Sequence, residues 1–143
     1  MRAEPARQFV DTNVLVYAHD VSAGAKHERA KALLADLWAQ GQGCLSIQVL
    51  QAFYVNITAK VRRPLDPETA RQRVEDLGFW TVHSPMADDV VAAIRLQQSA
   101  RLSFWDAMVV VSAQRLECQT LWSEDLQPGQ TIAGVAIVNP FAP

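Results

Sequence analysis

Apolar residues recur along this chain in two rhythms. Short dense runs (Phe9 with Val10, then 44–46, 79–82, 118–122 and 135–138) alternate with longer stretches in which apolar positions return every three or four residues. The first kind reads as buried strands and the second as helices with one buried face. Val14, Leu15, Val16 and Tyr17 are too densely apolar for a surface loop, so a helix begins near Thr12. VSAGAKHER breaks the pattern, after which Ala30, Leu33, Leu34, Leu37 and Trp38 mark a helix over about 25–40, stopped by Gly41. Val49, Leu50, Phe53, Tyr54 and Ile57 form a stripe running to about residue 60.

Asp66, Pro67 and Glu68 carry a helix-start signature: a capping side chain, a proline whose missing amide is harmless there, and an acid near the positive end of the dipole. That helix runs to about residue 77. Ser84 and Pro85 open the next, for which Ala87, Val90, Val91 and Ile94 are the expected buried stripe, with Asp88 and Asp89 serving only the dipole. In the helix over about 104–116, Val109, Val110 and Val111 are consecutive, so it is apolar nearly all round and predicted to be central. SEDLQPGQ reads as a turn. Helices alternating with short apolar strands imply right-handed crossovers and a parallel sheet covered on both faces. The expected fold is α/β, a single compact α/β/α domain over 1–143 with a short-stranded parallel sheet flanked by helices. No internal repeat or linker interrupts it.

Composition leaves that picture standing and narrows the chemistry. Of 143 residues half are hydrophobic and a fifth charged, with a net charge of -2, an ordinary globular balance. Nucleic-acid binding would therefore need a local basic patch, or metal ions bridging acids to phosphates, since overall charge cannot supply it. Cys44 and Cys118 sit in apolar runs and are expected to be buried free thiols, as suits a reducing cytoplasm. MRAEPARQ lacks a signal-peptide apolar region, and no window approaches the roughly 18 apolar residues of a membrane span. The expectation is a soluble, cytoplasmic protein without a membrane partner.

Three acids carry the candidate chemistry. Asp11 lies between the first strand and first helix, at the carboxyl end where parallel sheets collect ligands. Asp125 follows the 118–122 strand in the same way, and Asp106 falls in the first turn of the central helix. Each has a plain alternative: Asp11 as a helix N-cap, Asp106 as the acid of a capping box begun by Ser103, Asp125 as a turn residue. Convergence of all three on one rim favours function. Converging carboxylates repel and take up protons unless a cation lies among them. Mg²⁺ or Mn²⁺ suits an all-oxygen site and serves phosphodiester hydrolysis without a protein nucleophile.

VDTNVLVYA, SIQVLQAFYVN, LSFWDAMVVVSA and SEDLQPGQ, in this order, resemble the PIN-domain ribonucleases, specifically the VapC-like toxins of type II toxin–antitoxin modules. The resemblance covers nearly the whole chain. It implies a PIN-like fold, Mg²⁺-dependent endoribonuclease activity on an RNA substrate, a homodimer, and a cognate antitoxin whose C-terminal segment blocks the cleft. By position it makes Asp11, Asp106 and Asp125 the catalytic and metal-site acids, with Thr12, Asn13, Ser46 and Ser123 as polar neighbours and Glu124 as the alternative last acid. It also implies a glutamate where this chain has Ala52. Three acids then stand in place of four, which implies a weakened or inactive enzyme, or a silent domain kept for protein binding.

The remaining polar and aromatic residues add less. Lys60, Arg62 and Arg63 read first as cations favoured at a helix C-terminus and second as a site that steers RNA phosphates. His19, His27 and His83 show no metal or triad spacing and are expected to be partly exposed. Trp105, beside Asp106, is the tryptophan placed to stack on a base. Gly41 and Gly43 precede a strand and lack the third glycine of a dinucleotide fingerprint. A haloacid-dehalogenase-like phosphatase would need an acid two residues after Asp11, where Asn13 stands.

Overall fold

The computed structural model describes residues 6–127 and 129–142. Residues 1–5, read above as lacking a signal region, Pro128 of the SEDLQPGQ turn, and Pro143 lie outside the described residues. In chain order the elements are β1 (Gln8–Val10), α1 (Thr12–His19), a 3-10 turn (Val21–Ala23), α2 (Ala25–Gln40), β2 (Gly43–Ser46), α3 (Ile47–Ala59), α4 (Pro67–Leu77), β3 (Thr81–His83), α5 (Ala87–Ala100), α6 (Phe104–Arg115), β4 (Thr120–Trp122), β5 (Thr131–Ile132) and β6 (Val135–Val138). Gly41 ends α2 in the left-handed conformation, its amide bonded to the Leu37 and Trp38 carbonyls. Asp66 caps α4 by accepting from the Thr69 amide at 3.2 Å.

The strands form one sheet in the order β3-β2-β1-β4-β6-β5. All neighbours run parallel except β5 with β6, so the α/β architecture holds with one antiparallel edge. That edge is a hairpin whose central residues Ala133 and Gly134 both have positive φ, 52° and 82°, the geometry that matches the right-handed twist of the flanking strands. A two-residue strand such as β5 is too short to announce itself in sequence. β3 and β4 each begin two residues later than the apolar runs suggest. Phe79, in the run read as strand, is 83% exposed in the turn before β3.

The core lies where the helices meet the sheet. Phe9, Leu15, Leu45, Phe53, Leu121 and Ile137 are fully buried in it. α1 packs against α2 and α3, and α5 against α6, which itself crosses β2, β4 and β6 as the central helix should. Burying these side chains stabilises the fold by about 1.5–3 kcal/mol each. Cys44 and Cys118 are buried and free, as expected.

α5 departs from its expected orientation. Val90, Val91 and Ile94 are 37%, 48% and 42% exposed, and Ala87 is exposed too, so the stripe expected inside faces outward. Ala93 and Asp89 take the inner face. Asp89 is therefore more than a dipole partner. Its carboxylate accepts from the Met86 amide and from Arg115 Nε, both at 2.8 Å, and lies 3.3 Å from His83 Nε2. His83 Nδ1 in turn is 2.8 Å from Ser112 Oγ. This paired network lets a charged residue occupy the buried side. His27 is likewise buried, contrary to expectation, with Nδ1 2.9 Å from the Tyr17 carbonyl.

Candidate active site

Chain order sets where a ligand can sit. β1 is followed on one side by β2 and β3, and the chain then crosses to add β4 on the other side. The reversal between β1 and β4 opens a crevice beyond their carboxyl ends, the usual ligand position in such sheets. Asp11 leaves β1 there, its amide bonded to the Trp122 carbonyl at 3.0 Å, and Ser123 to Asp125 leave β4 beside it.

A cavity of about 480 Å³ occupies this crevice. Asp11, Asp106 and Asp125 all line it, with Thr12, Asn13 and Trp105, so the structure brings together the three acids singled out in sequence. Asp11 is also the N-cap of α1, accepting from the Thr12 amide at 2.7 Å on Oδ1, while Oδ2 accepts from Ser123 Oγ at 2.9 Å. Capping and a cleft position thus coexist in one residue. Ser103 caps α6 by accepting from the Asp106 amide at 3.1 Å. The return bond of a capping box is absent among the described residues, which leaves the Asp106 carboxylate to the cavity. Asn13 Nδ2 donates to Asp125.

Two of the expected neighbours serve elsewhere. Ser46 is fully buried and caps α3 by accepting from the Val49 amide at 3.2 Å. Glu124 does not line the cavity; it accepts from Tyr17 Oη at 2.9 Å and pairs with Lys26, which sits over the Tyr17 ring. Ala52 does line the cavity, on the wall made by α3. Gln48 and Asn56, four residues before and after it, line the same wall and were missed in sequence. Once Ala52 is placed, helical periodicity points to both.

Burial raises the Asp11 carboxyl to about 6, with smaller upward pushes from Asp106 and Asp125, against the bonds from Ser123 and Thr12 that favour its charged form. The Asp125 carboxyl is raised as well, by partial burial and by Glu124 and Asp106. Among the described residues no three His, Cys, Asp or Glu side chains are arranged to hold an ion unaided. Mg²⁺ does not require that, because it keeps several of its waters and binds through one or two carboxylates. Gln48 lines the α3 wall of the cleft, and its Oε1 is buried without a hydrogen-bond partner among the described residues. Three crowded carboxylates, with the carboxamides of Asn13, Gln51 and Asn56 on the same walls, supply hard oxygen donors that fit a hydrated divalent cation.

The fold and cleft define a class: α/β/α domains that gather carboxylates at the switch point of a parallel sheet. The chain belongs to the PIN domain family, whose model matches residues 9–130. No curated protein sequence matches it. Among solved structures it is similar to a toxin–antitoxin complex from Klebsiella pneumoniae (TM-score 0.69, 19% identity, 94% of this chain and 98% of that one). It is also similar to Mycobacterium tuberculosis VapC20, a sarcin–ricin-loop-cleaving toxin (TM-score 0.63, 19% identity, 82% and 89%). DNA-bound VapBC from Salmonella typhimurium gives TM-score 0.63 at 17% identity, over 93% and 97%. At these identities the likeness establishes the fold.

Proposed function

We propose that this chain is a metal-dependent endoribonuclease, the toxin of a toxin–antitoxin pair, with Asp11, Asp106 and Asp125 as its catalytic and metal-site acids. The observation that carries this reading is the convergence of the three carboxylates on one cavity at the sheet's switch point. The relatives named as toxins and as VapBC complexes support the toxin role, the antitoxin partner and, through them, a cytoplasmic setting. Among the described residues no helix is long and apolar enough to cross a membrane.

A divalent cation, Mg²⁺ or Mn²⁺, would be held by carboxylates of the set Asp11, Asp106 and Asp125 together with water, and would supply Lewis acidity toward a phosphodiester. The chain's own residues prepare for this. Ser123 and the Thr12 amide fix the Asp11 carboxylate and favour its charged form, and Asn13 turns Asp125 inward. Asp125 is favoured over Glu124 as the last acid because Tyr17 and Lys26 already engage Glu124. Trp105, 65% exposed at the cavity rim, offers an aromatic face to an unstacked base.

Ala52 motivates a second reading, a silent PIN domain kept for protein binding. Incubating the protein with structured RNA and Mg²⁺, with and without EDTA, separates the two. Chelator-sensitive cleavage that disappears in Asp106→Asn supports the nuclease, and no cleavage by the parent or by Ala52→Glu rejects it. The homodimer rests on the outward stripe of α5, where Met86, Val90, Val91 and Ile94 present apolar surface that a second copy would cover.

A further inference from the structure

A second, polar groove of about 340 Å³ continues the acidic cleft, and Asn13, Asn56 and Lys60 line both. Arg62 and Ser22 line the second groove but not the acidic cleft. We propose that this groove is a phosphate-binding subsite for single-stranded RNA, in which Lys60 and Arg62 hold the backbone next to the bond that the carboxylates address. The inference rests on the ribonuclease reading and adds to it a path: base on Trp105, scissile phosphate at Asp11 and Asp106, neighbouring phosphates on the two cations.

Several observations favour this ligand. Neither Lys60 nor Arg62 takes part in an ion pair among the described residues. Asp20, the acid that lines the same groove, is buried and accepts from the Ser22 amide at 3.0 Å, so its carboxylate is engaged with the loop. The helix dipole accounts for a cation at the end of α3, but not for Lys60 and Arg62 facing one groove while Arg63 lies outside it. A protein carrying a net charge of -2 has to gather phosphates locally, and the acids next door would repel a strand that no cation anchored. The carboxamides of Asn13 and Asn56 lie between the two charged zones, where they can donate to ribose or phosphate oxygens. A peptide helix would instead suit the apolar groove between α3 and α4, lined by Ile47, Leu50, Tyr54 and Val74.

The test is fluorescence anisotropy with a labelled single-stranded RNA 12-mer in EDTA, over a series of salt concentrations. Lys60→Ala with Arg62→Ala is expected to weaken binding about tenfold, and to lower the slope of log affinity against log salt by about 1.4, two phosphates at about 0.7 each on a single strand. A control that removes the same charge from α2 and α5, Lys31→Ala with Arg95→Ala, should leave the slope within about 0.3 of the parent. Equal losses in both double variants would reduce the effect to overall charge and overturn the subsite. So would full competition by millimolar inorganic phosphate, which would mark a free-anion site. Mg²⁺-dependent cleavage that persists unchanged in Lys60→Ala with Arg62→Ala, with unchanged RNA affinity, sinks the subsite and leaves the ribonuclease reading intact. A parent that neither binds nor cleaves RNA removes both.

Discussion

Ser123 Oγ donates to Asp11 Oδ2 at 2.9 Å, joining the carboxyl ends of β4 and β1 across 112 residues of sequence. The same oxygen accepts from the Leu126 amide at 3.3 Å, so one buried hydroxyl holds both the acid and the turn that carries Asp125. Ser123→Ala is expected to cost about 1–2 kcal/mol in urea unfolding, the scale of a lost buried bond that leaves its partners unmet. It should also move the Asp11 titration above its value of about 6, because a bond favouring the charged form is gone. Carboxyl NMR of the metal-free protein reads that shift, and no movement would show that Ser123 does not orient Asp11.

Asp89 sets a pH dependence remote from the cleft. The Met86 amide, Arg115 and His83 hold its carboxyl below the ordinary value of 3.8. A depressed acid contributes stability that is present above its unfolded pKa and lost as pH falls through the folded one. The contribution should therefore be intact at pH 5–7 and be lost progressively as pH falls below about 4. Asp89→Asn is expected to flatten that acid limb and to cost about 1–3 kcal/mol at neutral pH, less than a fully buried pair because Arg115 is 44% exposed. Chemical unfolding from pH 2 to pH 7 checks both.

Ala52 is the one cavity-wall position where adding an acid tests the chemistry directly. Ala52→Glu is expected to raise Mg²⁺-dependent RNA cleavage by roughly a hundredfold, the size of one well-placed catalytic contribution. Stability of the metal-free protein should change little or fall slightly, because glutamate forms helix almost as well as alanine but adds a charge beside Asp11 and Asp106. Unchanged cleavage by Ala52→Glu, with loss in Asp106→Asn, would mean that three acids suffice.

The outward face of α5 predicts an oligomer. Ile94→Glu is expected to shift sedimentation from dimer to monomer without loss of helix content, since Ile94 is 42% exposed and its substitution leaves the core intact. A parent that sediments as a monomer at micromolar concentration would reject that interface.

How far the sequence carried these conclusions depends on the range of the interaction involved. Asp11, Asp106 and Asp125 were legible because each sits at a boundary that local rules mark: a strand end, a helix first turn, a strand end again. The α5 stripe misled for a physical reason. Periodicity shows that apolar residues share a face, but not whether that face meets the core. Asp89 could turn inward because Arg115, 26 residues on, was there to pair with it, and no local signal carries that. Ser46 was placed among the site's neighbours by position, yet its hydroxyl is spent capping α3. Gln48 carries no local signal, because an uncharged side chain on a helix wall is unmarked until the cavity it lines is known.

The position of β4 beside β1 has a consequence for synthesis. A ribosome delivers Asp11 first, whereas Asp106 and Asp125 arrive with the last third of the chain, and β4 pairs with β1 only after residues 120–122 have cleared the exit tunnel. No nascent fragment that ends before that point holds a complete set of acids. Strand order alone thus delays the assembled cleft to the end of synthesis, and a premature stop anywhere upstream of Trp122 yields a polypeptide without it.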